Sequence, residues 1–279
     1  METLFELFRY KFFANALLAA ILASISCGII GTYIVSRRIV FICGGISHAS
    51  FGGIGIGYYL GINPILGAAI FAVLSALGIE FISKKIDVRK DSLIGILWSF
   101  GMAIGIIFVF ITPGYAPNLM SYLFGSILTV SGLDLFLMLV LDIIIILFFS
   151  LFFKVILFTS FDHEYAKTHN APVQLINYFL ISLIALTIVL NIRVVGIILV
   201  ISFLTIPQTI ANLFSKNFSA IIFYSILFGL LGSFSGLIIS YKINIPSGAS
   251  IIFSFVVLFI ISKIIKNIHI YIKIKKHEL

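Results

Sequence analysis

RRIVFICGGISHASFGGIGIGYYLGINP, residues 37–64, opens on two arginines, carries no further charge, and closes on an Asn-Pro turn. A helix needs about 20 apolar residues at 1.5 Å each to cross a hydrocarbon core about 30 Å thick, and this stretch supplies them. Outward from it the same unit recurs. Apolar runs punctuated by charge, Pro and Gly give candidate helices at 13–35, 40–60, 64–83, 92–112, 134–157, 173–190, 194–213, 219–240 and 247–266. The stretch 117–132 is apolar but short for a crossing, so it reads as re-entrant or interfacial. Composition agrees: 61% of the 279 residues are hydrophobic and 10% charged, against roughly 45–50% and about 25% in soluble domains. The sequence predicts an all-α polytopic membrane protein with about nine transmembrane helices, within a range of eight to ten. It reads as one transmembrane domain over 1–279, with an interfacial segment at 1–12 and a basic tail at 267–279.

Basic residues set the orientation. With the C-terminus in the cytoplasm and nine alternating spans, the inner side holds fourteen of the eighteen Lys and Arg. They lie at 37–38, in the loop 84–90, at Lys154, Lys167 and Lys216, and from Lys263 onward. The outer side keeps Arg9, Lys11, Arg193 and Lys242. The opposite orientation reverses the count, against the positive-inside rule. The N-terminus is therefore expected outside and the C-terminus inside. The formal charge of +8 belongs to this asymmetry, not to a nucleic-acid surface. The start, with Glu2 and Glu6, lacks the charge cluster of a cleavable signal peptide.

Several chemistries are missing. No Lys follows a Gly, so the chain has no Walker A loop, and it has no HExxH, no CxxC and no nucleophile elbow. GGIGIG at 52–57 lies inside a spanning run and is not a dinucleotide loop. Cys27 and Cys43 sit in apolar surroundings. No catalytic residue and no permanently bound cofactor are expected.

The stretch 37–64 does carry a candidate site. Gly45, Ala49, Gly53 and Gly57 recur every four residues, a stripe that lets another helix backbone approach closely in lipid. Gly44, His48 and Gly52 form the adjacent stripe, so His48 projects from a small-residue face. Ten residues from Arg38, or about 15 Å of helix, place His48 near the midplane. An ionisable group at that depth marks a functional position by default, and imidazole ligates borderline metals such as zinc. Ser47 and Cys43 are nearby alternatives, Cys43 lying about 140° off the His48 face. Asp142, between Asp134 and Lys154, is a second midplane candidate that nothing in the sequence places near His48. Glu80 is expected to pair with Lys84, four residues on. Pro207, in a span that also holds Ser202, Thr205, Gln208, Thr209 and Asn212, removes a helix hydrogen bond and frees a carbonyl. Such broken backbone is tolerated where it lines a cavity or is covered by protein.

The run SRRIVFICGGISHASFGGIGIG resembles the Arg-rich turn and Ser/Ala-His-Ala helix of the metal-ion ABC transporter permeases, the zinc/manganese/iron group. Further blocks are similar to its zinc permeases, in order: DSLIGILWSFGMAIGIIF (91–108), LMSYLFGSILTVSGLDL (119–135), FDHEYAKTHN (161–170), VVGIILVISFLTIPQTIA (194–211) and IPSGASIIF (245–253). One departure stands out: many members carry an Asp four residues before the His, where this chain has Gly44. The resemblance implies a permease in a bacterial plasma membrane, importing a divalent ion, Zn2+ first and Mn2+ or Fe2+ behind it. It implies a second copy of the chain, a cytoplasmic ABC ATPase and an extracytoplasmic metal-binding protein as partners. It also makes 159–172 the cytoplasmic coupling segment. There Phe161 and Tyr165, four apart, would offer an apolar docking face with Asp162 and Glu164 beside it, and His163 and His169 would not be ligands. The rival expectations are a self-contained channel or secondary carrier, and a vitamin B12 or siderophore permease.

Overall fold

The computed structural model describes residues 10–85, 88–113, 125, 127–161 and 173–277. Among them are ten α-helices: α1 Lys11–Ser36, α2 Phe41–Tyr59, α3 Pro64–Lys85, α4 Lys90–Ile111, α5 Gly132–Phe161, α6 Val173–Val195, α7 Ile197–Phe203, α8 Ile206–Phe214, α9 Phe218–Ile243 and α10 Ser247–His277. A single 3-10 turn, Ile127–Thr129, precedes α5. No strand occurs among the described residues. Among the described residues eight spans are long and apolar enough to cross a membrane, with α7 and α8 together making one of them. The eight do not include α2, whose 19 residues hold the His and the glycines and are sheltered by protein. With it the count of about nine is met.

α1 and α6 are the most enclosed spans, while α4, α5 and α10 turn most of their surface outward. α1 packs against α5 and α9 and touches α6, α7 and α8; α2 packs chiefly between α3 and α4. In lipid no water is available for stray polar groups, so hydroxyls return to their own helix. Ser24, Ser26 and Thr32 of α1 donate to the carbonyls of Ala20, Leu22 and Gly28 at 2.6, 3.0 and 2.7 Å.

Two turns frame α2. At its C-terminal end Gly61, φ +67°, follows a pattern in which Ile62 N–H donates to Gly57 O at 3.0 Å and Gly61 N–H to Tyr58 O at 3.2 Å. Before its N-terminal end Ile39 N–H donates to Ile34 O and Arg38 N–H to Val35 O, both at 3.1 Å, with Arg38 at φ +57°. Both are helix stops through a left-handed residue. The first uses glycine; the second holds an arginine there.

The expected span 194–213 is discontinuous. Gly196, φ +81°, ends α6, and α7 and α8 are separated at Leu204–Thr205, with Pro207 in the first turn of α8. There Pro207 breaks no helix interior. The carbonyl it leaves without a helical donor, Phe203 O, accepts from Gln208 Nε2 at 3.0 Å, and the same amide donates to Cys27 O of α1 at 2.7 Å. A β-carbon at Gly31 would collide with that amide, so α1 is bare where the break docks.

At its N-terminus α5 starts with a capping box: Asp134 Oδ2 accepts from Ser131 N–H at 3.0 Å and Ser131 Oγ at 2.6 Å. The other carboxylate oxygen meets Arg193 Nε at 2.8 Å. α5 is kinked at Phe152 (φ −108°, ψ 17°). α10 differs from expectation in length: its helix passes 266 and runs unbroken to His277, through residues expected only as a tail. At Glu80 the ion pair is with Lys90 of α4, at 3.2 Å; the side chain of Lys84 lies outside the described residues.

Candidate functional site

The His48 site is built on the glycines of α2. A β-carbon at Gly53 would collide with Gly67 O of α3, and one at Gly57 would come within 2.8 Å of Pro64 Cα. Towards α4, Gly45 meets Ile94, and a β-carbon on Gly101 would lie 2.5 Å from Ala49 Cα. One on Gly105 would lie 2.6 Å from Phe51 O. The small-residue stripe thus seats α2 against two helices at once, backbone to backbone, as close packing in lipid requires.

On the first half of α2 the accessible positions are Phe41, Gly44 and His48, three and four residues apart and so on one line of the helix. His48 is half-buried on that line. Its ring stacks on Trp98 of α4, with centroids 4.2 Å apart and planes 6° from parallel. Nδ1 is buried and has no hydrogen-bond partner among the described residues. Trp98 continues to Phe41, 6.2 Å away, and covers Gly44, where a β-carbon would lie 3.5 Å from the indole. An Asp at 44 would have to share this space with Trp98. A β-carbon at 44 would meet Trp98 at ordinary van der Waals distance, so one indole borders both this position and the imidazole.

The other expected donors stand elsewhere. Cys43 and Ser47 share a fully buried side of α2, away from the His48 line, and Ser47 Oγ has no partner among the described residues. Asp142 is 2% exposed on α5, beside Ser26 and Cys27 of α1. Neither of its oxygens has a hydrogen-bond partner among the described residues; the Ser26 hydroxyl is given to Leu22 O. α5 is not one of the principal neighbours of α2, so Asp142 is not delivered to His48. Among the described residues no group of three or more His, Cys, Asp and Glu could hold a metal ion. What the site offers is one imidazole, one indole face and glycine backbone.

Pro207 and Gln208 mark the break between α7 and α8, packed on α1 and not on the His48 line. Of the expected coupling residues, Phe161 is the last residue of α5. Its side chain, and all of Asp162, His163, Glu164, Tyr165 and His169, lie outside the described residues. Trp98 had no role assigned from sequence. It is the only Trp in the chain, which is a signal, but its partner fifty residues away could not be read from spacing.

The chain matches the ABC 3 transport family over residues 9–266. It is 34% identical over 256 residues to a manganese transport system membrane protein of Listeria monocytogenes, covering 92% of this chain and 91% of that one. A probable metal transport system membrane protein of Chlamydia pneumoniae is 42% identical over 240 residues, covering 84% and 82%. Among solved structures, PsaBC from Streptococcus pneumoniae in complex with Fab superposes with a TM-score of 0.82 at 33% identity, covering 93% of this chain and 95% of that one.

Proposed function

The chain belongs to the ABC 3 transport family, as a metal-importer permease and not an enzyme by itself, and from that premise we propose that the imported ion passes at His48. The observation that carries this reading is the imidazole itself: near the middle of α2, on the accessible line of its first half, with Nδ1 buried and without a partner among the described residues and Trp98 stacked on the ring. One chain leaves that line open. A second copy facing it would close a path along Phe41, Gly44 and His48, in keeping with the two-fold symmetry usual for paired subunits.

The remaining parts follow the same reading. The chain has no nucleotide-binding loop, so a cytoplasmic ABC ATPase supplies the work. It is engaged by 159–172 with Phe161, Asp162, Glu164 and Tyr165, and the C-terminus is inside. An extracytoplasmic metal-binding protein delivers the ion, and the assembly sits in a bacterial plasma membrane. ATP binding and hydrolysis reorient the helices around His48 in alternating access. Zn2+ is the first choice, because an imidazole with no carboxylate beside it suits a borderline ion better than hard Mn2+. Manganese is the second reading, favoured by what the relatives are named for; Fe2+ stands behind both.

Trp98 reports on this directly. As the single Trp, stacked on His48, it gives the purified permease one indole signal at the proposed site. Titration with Zn2+ is predicted to quench that emission saturably, with Mn2+ acting more weakly, and His48→Ala is predicted to abolish the response. A wild-type signal indifferent to both ions, or an equal response from His48→Ala, would remove His48 from the path.

A further inference from the structure

We propose that Arg37 is a positioning residue that carries movement at the cytoplasmic end of α5 into the helix bearing His48; the proposal rests on the permease reading above. Arg37 Nη1 donates to the backbone carbonyl of Thr159, 122 residues away in sequence. Thr159 is fully buried and stands two residues before the end of α5, where the chain enters the inner segment proposed to meet the ATPase. Carbonyls in a last helical turn lack helical donors and carry the negative end of the helix dipole, so a guanidinium is a fitting partner. This contact ties the end of α5 to the turn 37–40.

The main chain of Arg37 is held as firmly as its side chain. Its N–H donates to Tyr33 O at 3.0 Å, and the next residue, Arg38, is the left-handed stop that turns the chain into α2. Beyond that turn α2, α3 and α4 are joined backbone to backbone through Gly53, Gly67, Gly101 and Gly105. α2 packs far more on α3 and α4 than on any other helix. A displacement of the turn therefore moves His48 and Trp98 together.

Arg37 also has a bond in reserve. Its Nε is buried without a partner among the described residues, and so is Oδ1 of Asn177 on α6. Both residues line one cavity of about 60 Å³, shared with Glu80 and Lys90, with room for a few water molecules. A donor and an acceptor left unmade across one cavity give the guanidinium a second arrangement to adopt when α5 withdraws. Coupling needs such an element, with two discrete arrangements that both ends bias.

The test uses the complete transporter, with ATPase and binding protein, in liposomes, and reads ions imported per ATP hydrolysed with Zn2+ and Mn2+ in turn. Arg37→Gln is expected to lower that ratio about tenfold, the scale of one charge-assisted hydrogen bond, while ATPase still co-purifies and basal hydrolysis stays within about twofold. Arg37→Lys keeps the charge and one donor but loses the planar fork, so its ratio is expected about two- to threefold below wild type. A merely structural residue would lower uptake and hydrolysis together and leave the ratio alone; that outcome overturns the proposal. Should Arg37→Gln not reach the membrane, Arg37→Lys decides by itself: a lowered ratio supports the clamp and a wild-type ratio overturns it. A wild-type transporter without ATP-driven metal uptake would instead fail the permease reading.

Discussion

Arg38 and Gly61 hold the same place in the same kind of turn, one at each end of α2. Glycine adopts the left-handed conformation freely, whereas a β-carbon there costs roughly 1–2 kcal/mol. Arg38→Gly is therefore predicted to stabilise the protein by about 1 kcal/mol, read as a higher midpoint of thermal unfolding in detergent. A lowered midpoint would mean that the exposed Arg38 side chain holds more than its backbone conformation costs. Single residues were legible where sequence distance equals spatial distance. The bare face of α2 below His48 follows from a period of four. Contacts between helices were not legible. Trp98 reaches His48 from α4, and Glu80 reaches Lys90 across the loop after α3. Asp142 shows the same limit: that it faces α1 could not be counted along one helix.

At the scale of elements, the α2 stripe makes a selective demand. A side chain at Gly53 has nowhere to go, because Gly67 O of α3 occupies the position, and backbone cannot swing aside as a flexible side chain does. Gly78, one helix further on, has nothing within 4 Å of its missing β-carbon. Gly53→Val is predicted to cost several kcal/mol, beyond the roughly 1–3 of ordinary overpacking, and to deplete folded protein from the membrane. Gly78→Ala is predicted to be neutral or stabilising by up to about 1 kcal/mol, since a helical alanine orders more cheaply than glycine. Fluorescence-detected size-exclusion of the two variants checks both; equal behaviour would contradict the account of α2 packing. Helix extents were mostly legible, because length and apolarity fix them together. The exceptions have physical reasons. The break before α8 depends on Gln208 and on Gly31, which are far apart in sequence. α10 continues past the apolar run through residues that include several Lys, a good helix former, so charge ends the apolar run but not the helix.

At the scale of the whole molecule, the sequence made the membrane class and the helix count readable through composition, and the family readable through ordered blocks. Orientation rests on the distribution of Lys and Arg. At Gly44 the chain lacks the carboxylate of a shared carboxylate–imidazole site, and the structure places Trp98 over that position. The central claim is that an ATP-driven assembly moves a metal ion past His48. It is tested most directly by importing Zn2+ into liposomes that hold the whole transporter, wild type against His48→Ala, with ATP present or withheld. The account predicts ATP-dependent import by wild type and a loss of at least about tenfold in His48→Ala, the scale of one lost metal contact or more, with ATPase still bound. Undiminished import by a folded His48→Ala transporter, or import by wild type that ignores ATP, would contradict it.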